Sequence, residues 1–181
     1  MEITDKEIEN LRIELEEQQR INIELSQKEN EYRIRTRKND LDLTIIWQDN
    51  ISEVDKEFLK SKINIPGLDN FEENFTVVNL NLSNILNYHC ESVESANSIF
   101  PITQLWDTCR NDRLITKLIL HIEEGKTVCP PVIDFTFVEL TKTEVFVIYD
   151  GNHRIGLSRF LGLESIPFII RKNNLDRIQS I

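Results

Sequence analysis

Glycine, proline, cysteine and long apolar runs are all scarce in this chain, and each scarcity closes a class of structure. Five glycines and five prolines among 181 residues are too few for a collagenous or low-complexity chain. The three cysteines, Cys90, Cys109 and Cys129, are widely spaced and include no CxxC pair. They suit a reducing compartment rather than a disulfide framework, and they supply no metal-ligand set. No apolar stretch is long enough to cross a bilayer, and the opening MEITDKEIEN is acidic and polar, the reverse of a secretory signal. The expected location is the cytoplasm, away from membranes. Basic residues are in deficit as well, 21 against 31 acidic ones, for a net charge of −10. That balance argues against a general nucleic-acid binder, because phosphate contacts need a basic surface.

What is present divides into three stretches. Residues 1–38 read as one long charged helix. Thr4 and Glu7 make a capping-box pattern, and neither Gly nor Pro interrupts the run. Glu is rich in its first turns, and Arg33, Arg35, Arg37 and Lys38 close it, the polarity that complements a helix dipole. A 3-4 spacing runs through Ile8, Leu11, Leu15, Gln18, Asn22, Leu25, Glu29 and Tyr32. Half of those positions are polar, so two readings stand: a coiled-coil helix for a homodimer or partner protein, or a solvated extension. Residues 39–74 read as a helical connector that packs on the core. A short helix is expected after Ser52 as its cap, with Val54, Phe58 and Leu59 on one face and Pro66-Gly67 ending it.

Residues 75–181 carry the expected domain, an α+β fold. Charge there is nearly balanced, with 10 basic and 12 acidic side chains. Phe75–Leu82 reads as a strand, followed by an irregular polar segment over Asn87–Ser98. A helix is expected over Thr103–Glu124, then strands over Val132–Leu140 and Glu144–Tyr149. A helix over His153–Leu161 and a strand over Ile166–Ile170 complete the domain. His121, between Leu120 and Ile122, reads as a packing residue.

The chemistry concentrates in VFVIYDGNHRI, residues 145–155. An apolar strand breaks at Asp150-Gly151-Asn152, residues that tolerate a sharp backbone turn, and a helix begins at once. The free N–H groups of its first turn make an anion site, strengthened by the helix dipole. In this reading Gly151 leaves room for a ligand to approach the backbone, and Asn152 is a ligand contact or a turn residue. Arg154 forks onto phosphate oxygens, while His153 donates a hydrogen bond or passes a proton. Asp150 caps the helix, or holds a metal ion or a ligand hydroxyl.

The run IYDGNHRIGLSRFLGLESIPFII, with GKTVCPPVIDF upstream, resembles the ParB/sulfiredoxin-like fold, most specifically over residues 145–170. Residues 1–74 lie outside the resemblance. Asn152 stands where the sulfiredoxins carry their catalytic Cys, which removes sulfinic-acid reduction. The second motif and DNA-binding modules of the partition branch are also absent. The local match is to members with a D-G-H-H-R turn, among them kinases of free serine. The resemblance implies a nucleotide-binding enzyme, working with Mg²⁺ and ATP or another nucleotide, as a nucleoside triphosphatase or a phosphotransferase to a small hydroxyl. It also implies a catalytic carboxylate after the first strand, where Glu91 is the candidate and Glu94 the second. A nucleotide-responsive interaction module and a ParB-like nuclease are the rival expectations.

Overall fold

In a computed structural model, residues 4–62, 65, 67–92, 105–106, 112–138 and 142–180 are described. They form a mixed α+β architecture: a long helix, a connector, and a four-stranded sheet with helices against it. No helix among the described residues is long and apolar enough to cross a membrane.

Helix α1 spans Asp5–Arg37. Its start is fixed by the full capping box: the Glu7 amide donates to the Thr4 hydroxyl, and the Thr4 amide donates to the Glu7 carboxylate at 2.7 Å. Those two bonds satisfy donors that a helix start otherwise leaves to water. Every described side chain from Lys6 to Ile21 is exposed, whereas Tyr32 is fully buried and Thr36 nearly so. The carboxy-terminal half is therefore seated and the amino-terminal half projects. At 1.5 Å per residue, Asp5–Ile21 extends about 25 Å.

The seat is α5 (Asp112–Glu123). Tyr32 donates its hydroxyl proton to Glu123 at 2.5 Å, and Arg35 reaches the other oxygen of that carboxylate at 2.7 Å. Burial, then the Glu123 hydrogen bond, push the Tyr32 phenol well above its ordinary range. Burial alone would raise the Glu123 carboxyl, but the bonds from Tyr32 and Arg35 hold it below its usual value. Further along, Trp106 donates Nε1–H to the Thr36 hydroxyl at 2.8 Å, with the Arg33 guanidinium over its ring. Arg113 donates to Asn22 at 3.3 Å, at the edge of the seated part.

The connector holds α2 (Lys56–Lys62) and α3 (Phe71–Asn74). A 3₁₀ turn at Ile51–Glu53 precedes α2, and its cap is Asn50, whose side chain accepts the Ser52 amide at 3.1 Å; Ser52 is not the cap. Val54, Leu59, Phe71 and Phe75 join Val132 and Ile169 in one apolar cluster against the sheet. The backbone around Trp47 also pairs with Val128: the Gln48 amide donates to the Val128 carbonyl at 3.0 Å, and the Val128 amide to the Ile46 carbonyl at 2.7 Å.

The strands are β1 (Phe75–Asn81), β2 (Val132–Val138), β3 (Thr143–Asp150) and β4 (Ser165–Arg171), in the order β1-β4-β2-β3. β1 and β4 are antiparallel, β2 and β3 are antiparallel, and β2 meets β4 in parallel. β4 is buried on both faces, as a central strand must be: Ile166, Phe168 and Ile170 enter one core and Ile169 the other. Buried Asp134 is answered by Arg171 at 2.7 Å and by Asn174 at 2.5 Å, as a charge out of water requires.

Helix α4 covers Leu82–Ser92, so the segment expected to be irregular from Asn87 is helical to Ser92. Leu82, Ile85 and Leu86 provide the i, i+3, i+4 face that packs on the sheet. Residues 93–98 lie outside the described residues, as do 103–104 and 107–111 of the helix expected over Thr103–Glu124. Helix α6 spans Asn152–Phe160, and a short α7 (Leu175–Gln179) comes after β4.

Candidate functional site

The turn from β3 into α6 is organised by a glycine and an arginine. Gly151 has φ +103° and ψ 14°, a left-handed conformation that favours glycine. A Cβ placed there would stand 2.6 Å from Pro131 Cβ and 2.7 Å from Pro131 Cα. The space freed by the missing side chain is therefore filled by Pro131, not kept open for a ligand. Just upstream, the β2–β3 register slips between Val132↔Asp150 and Ile133↔Ile148, leaving Tyr149 as the extra residue. Such a bulge bends the end of a strand and redirects the chain beyond it.

Arg154 ties this turn to the segment before β2. One guanidinium nitrogen donates to the Cys129 carbonyl at 2.5 Å and the Pro130 carbonyl at 3.1 Å, and the other donates to the Asp150 carboxylate. The Arg154 side chain is only 11% exposed. Asp150 and Arg154 thus hold each other one turn apart, and Arg154 fastens the helix start to Cys129–Pro131. The role expected for Arg154, forking onto phosphate, is occupied by these protein acceptors.

The imidazole of His153 is half-buried, and burial, with the neighbouring Arg154 charge, pushes its pKa below the ordinary value. It is neutral at neutral pH and able to take a proton. Burial also raises the Cys129 thiol, outweighing Arg154 beside it, so Cys129 is not a thiolate nucleophile. Asn152 presents a different signal: its Oδ1 is buried and has no hydrogen-bond partner among the described residues.

Alongside this turn lies a cavity of about 480 Å³, within the range of small-ligand sites. His153 and Arg154 form one part of its wall. α5 forms another with Leu114, Lys117, Leu118 and His121, and Thr127–Cys129 a third. The connector closes it with Gln48 and Asp55. His121 is oriented by donating Nε2–H to the Thr127 carbonyl at 2.8 Å, so it belongs to the cavity wall rather than to packing alone. Gln48 Oε1 is buried without a partner among the described residues, and a buried acceptor left unpaired costs about 1–3 kcal/mol.

The expected site residues Asp150, Gly151, Asn152, His153 and Arg154 are contiguous at this turn, and His153 and Arg154 face the cavity. Glu91 sits on the last turn of α4, with its side chain outside the described residues; Glu94 also lies outside them. Gln48, Asp55 and His121 are the cavity residues the sequence did not single out as ligand groups. The pairing of Ile46–Gln48 with Val128 brings Gln48 there, and no spacing in the sequence announces that pairing. Among the described residues no group of three or more His, Cys, Asp or Glu side chains could hold a metal ion by itself. Asp55 is the one carboxylate among the described residues lining the cavity. That donor set suits Mg²⁺ only in company with phosphate oxygens, since Mg²⁺ is commonly held by one or two carboxylates plus substrate phosphates. No family model, curated protein or solved structure matches the chain.

Proposed function

We propose that the cavity binds a nucleotide, and that the protein splits its phosphoanhydride or transfers a phosphoryl group to a small hydroxyl acceptor. The carrying observation is the combination of Lys117 and His153 beside a helix start in the wall of one cavity. A phosphate group meets the Lys117 charge and the first-turn amides of α6. Gln48 stands in the wall as a polar group for a base or ribose, and Leu114, Leu118 and Val128 supply the apolar wall for a ring. Neutral His153 accepts the proton of the attacking hydroxyl as its oxygen bonds to phosphorus; the bridging oxygen leaves with the remaining phosphates. Asp150 and Arg154 act by fixing the turn. Asp55 would help hold Mg²⁺, which offsets phosphate charge when bound. Membership of the ParB/sulfiredoxin-like group is part of this reading, supported by the strand–Gly151–helix turn within a mixed α+β domain.

The test is a thermal-shift screen of ATP, ADP, CTP and GTP, with and without Mg²⁺, on the intact protein and on Lys117→Ala. Ligand at a hundred times its Kd adds about 2.7 kcal/mol, a rise of several degrees for a chain of this size. The expected result is a rise with one nucleotide that Lys117→Ala abolishes, with the ligand-free melting temperature unchanged because Lys117 is exposed. No rise with any nucleotide sinks the reading. Binding without turnover favours a second reading, a nucleotide-responsive interaction module. One observation supports it: Lys117 lines both this cavity and the groove between α1 and α5.

A further inference from the structure

The projecting half of α1 carries exposed apolar side chains. Ile8, Leu11 and Leu15 are 48%, 59% and 59% exposed. They continue the 3-4 row that, further along the same helix, runs through half-buried Leu25 to fully buried Tyr32. A row half seated and half bare has a natural cover in more helix.

Beside the seated half lies a groove of about 590 Å³ between α1 and α5. Ile21, Leu25 and Leu120 give it an apolar floor, and Lys28 and Lys117 stand along it with Glu24, Glu31 and Glu124. Glu31 and Glu124 are already paired with Lys28 and Lys126, at 3.0 and 2.5 Å. The groove thus has the chemistry of a site for an amphipathic helix.

We propose that the occupant is the projecting half of α1 from a second copy of this chain, laid antiparallel so that the two helices cross near Gln18. Charge selects this arrangement. The row from Asp5 to Glu24 holds seven acidic and three basic side chains, whereas Leu25–Lys38 holds two acidic and five basic. A parallel pair sets like halves together. The antiparallel pair sets Arg12 beside Glu24 of the other copy, Arg20 beside Glu16, and Lys28, which also holds its own Glu31, beside Glu7 and Glu9. Leu11 and Leu15 then lie over Leu25 and Ile21 of the groove floor. Gln18, a polar break in the row, falls at the two-fold axis, where a polar pair fixes register at some cost in stability. The interface is isologous and closed, giving a dimer and not a filament.

Sedimentation equilibrium on the full chain at tens of micromolar reads the oligomeric state, and short-span bismaleimide cross-linking reads the register. The expected result is a dimer, with Leu15→Glu weakening it at least tenfold while the far-ultraviolet spectrum is kept. Gln18→Cys cross-links to itself above the background of the native cysteines. Asn10→Cys and Ser26→Cys, each about 24 Å from its own symmetry mate along the axis, cross-link only when the two variants are mixed. A monomer at these concentrations overturns the proposal. So does a dimer in which Asn10→Cys cross-links to itself, which marks a parallel pair, or one indifferent to Leu15→Glu.

Discussion

Replacing Gly151 by alanine tests how the turn is built, because two separable costs fall on one methyl group. The first is conformational: a side chain at φ +103° costs roughly 1–2 kcal/mol relative to a right-handed conformation. The second is steric. The new Cβ meets Pro131 Cβ at 2.6 Å and Pro131 Cα at 2.7 Å, and a backbone atom cannot rotate away as a flexible side chain can. Overpacking of this kind typically costs about 1–3 kcal/mol. Alanine recovers about 0.4–1 kcal/mol by restricting the unfolded chain, so the net loss for Gly151→Ala is about 1–5 kcal/mol, centred on about 3 kcal/mol. Gly162 is the internal control, with φ +72° and nothing within 4 Å of its Cβ position. Gly162→Ala carries the conformational cost alone, about 1 kcal/mol net. Urea unfolding followed by tryptophan fluorescence and circular dichroism gives both values, provided the m-value stays constant. A Gly151→Ala loss within experimental error of the Gly162→Ala loss would refute the claim that Pro131 sets the turn.

Arg154→Ala frees two carbonyls and leaves Asp150 without its partner; it lowers stability by about 2–4 kcal/mol in urea, and a loss below about 1 kcal/mol contradicts the fastening role. His153 has a folded pKa below its ordinary 6.5, so the unfolded chain binds the proton first. Stability from this group is complete above pH 6.5 and falls as pH drops from there towards the folded value. His153→Gln removes that part of the acid slope, and equal slopes for both proteins between about pH 6.5 and 5.5 dismiss it.

The elements announced by local signals are the ones the sequence already made readable. The Thr4–Glu7 box fixes the start of α1, and the break of an apolar strand at Asp150-Gly151 marks the entry to α6. α4 was harder to see past Asn87, because its apolar face lies early, at Leu82, Ile85 and Leu86. The site was legible as a turn but not as a cavity. Gln48 arrives through a two-residue bridge to Val128, and Arg154 spends its guanidinium on carbonyls 24 and 25 residues away. Neither partnership leaves a trace in spacing or composition, since both exist only after the sheet and α5 are in place.

The strand order has a consequence for how the chain acquires its shape. β4 is the last of these four strands to be synthesised, yet it lies between β1 and β2. The β2–β3 hairpin can close early, over a short connection. β1 must wait for partners about ninety residues further along, from Phe75↔Arg171 to Asn81↔Ser165. Non-local pairings of this kind slow folding, because loop entropy is lost before contacts return it. Until β4 emerges from the ribosome, β1 and β2 each present an open edge able to pair with another chain. The acidic, early-capping α1 is made before any of these strands, and it keeps the nascent chain charged through that exposed interval.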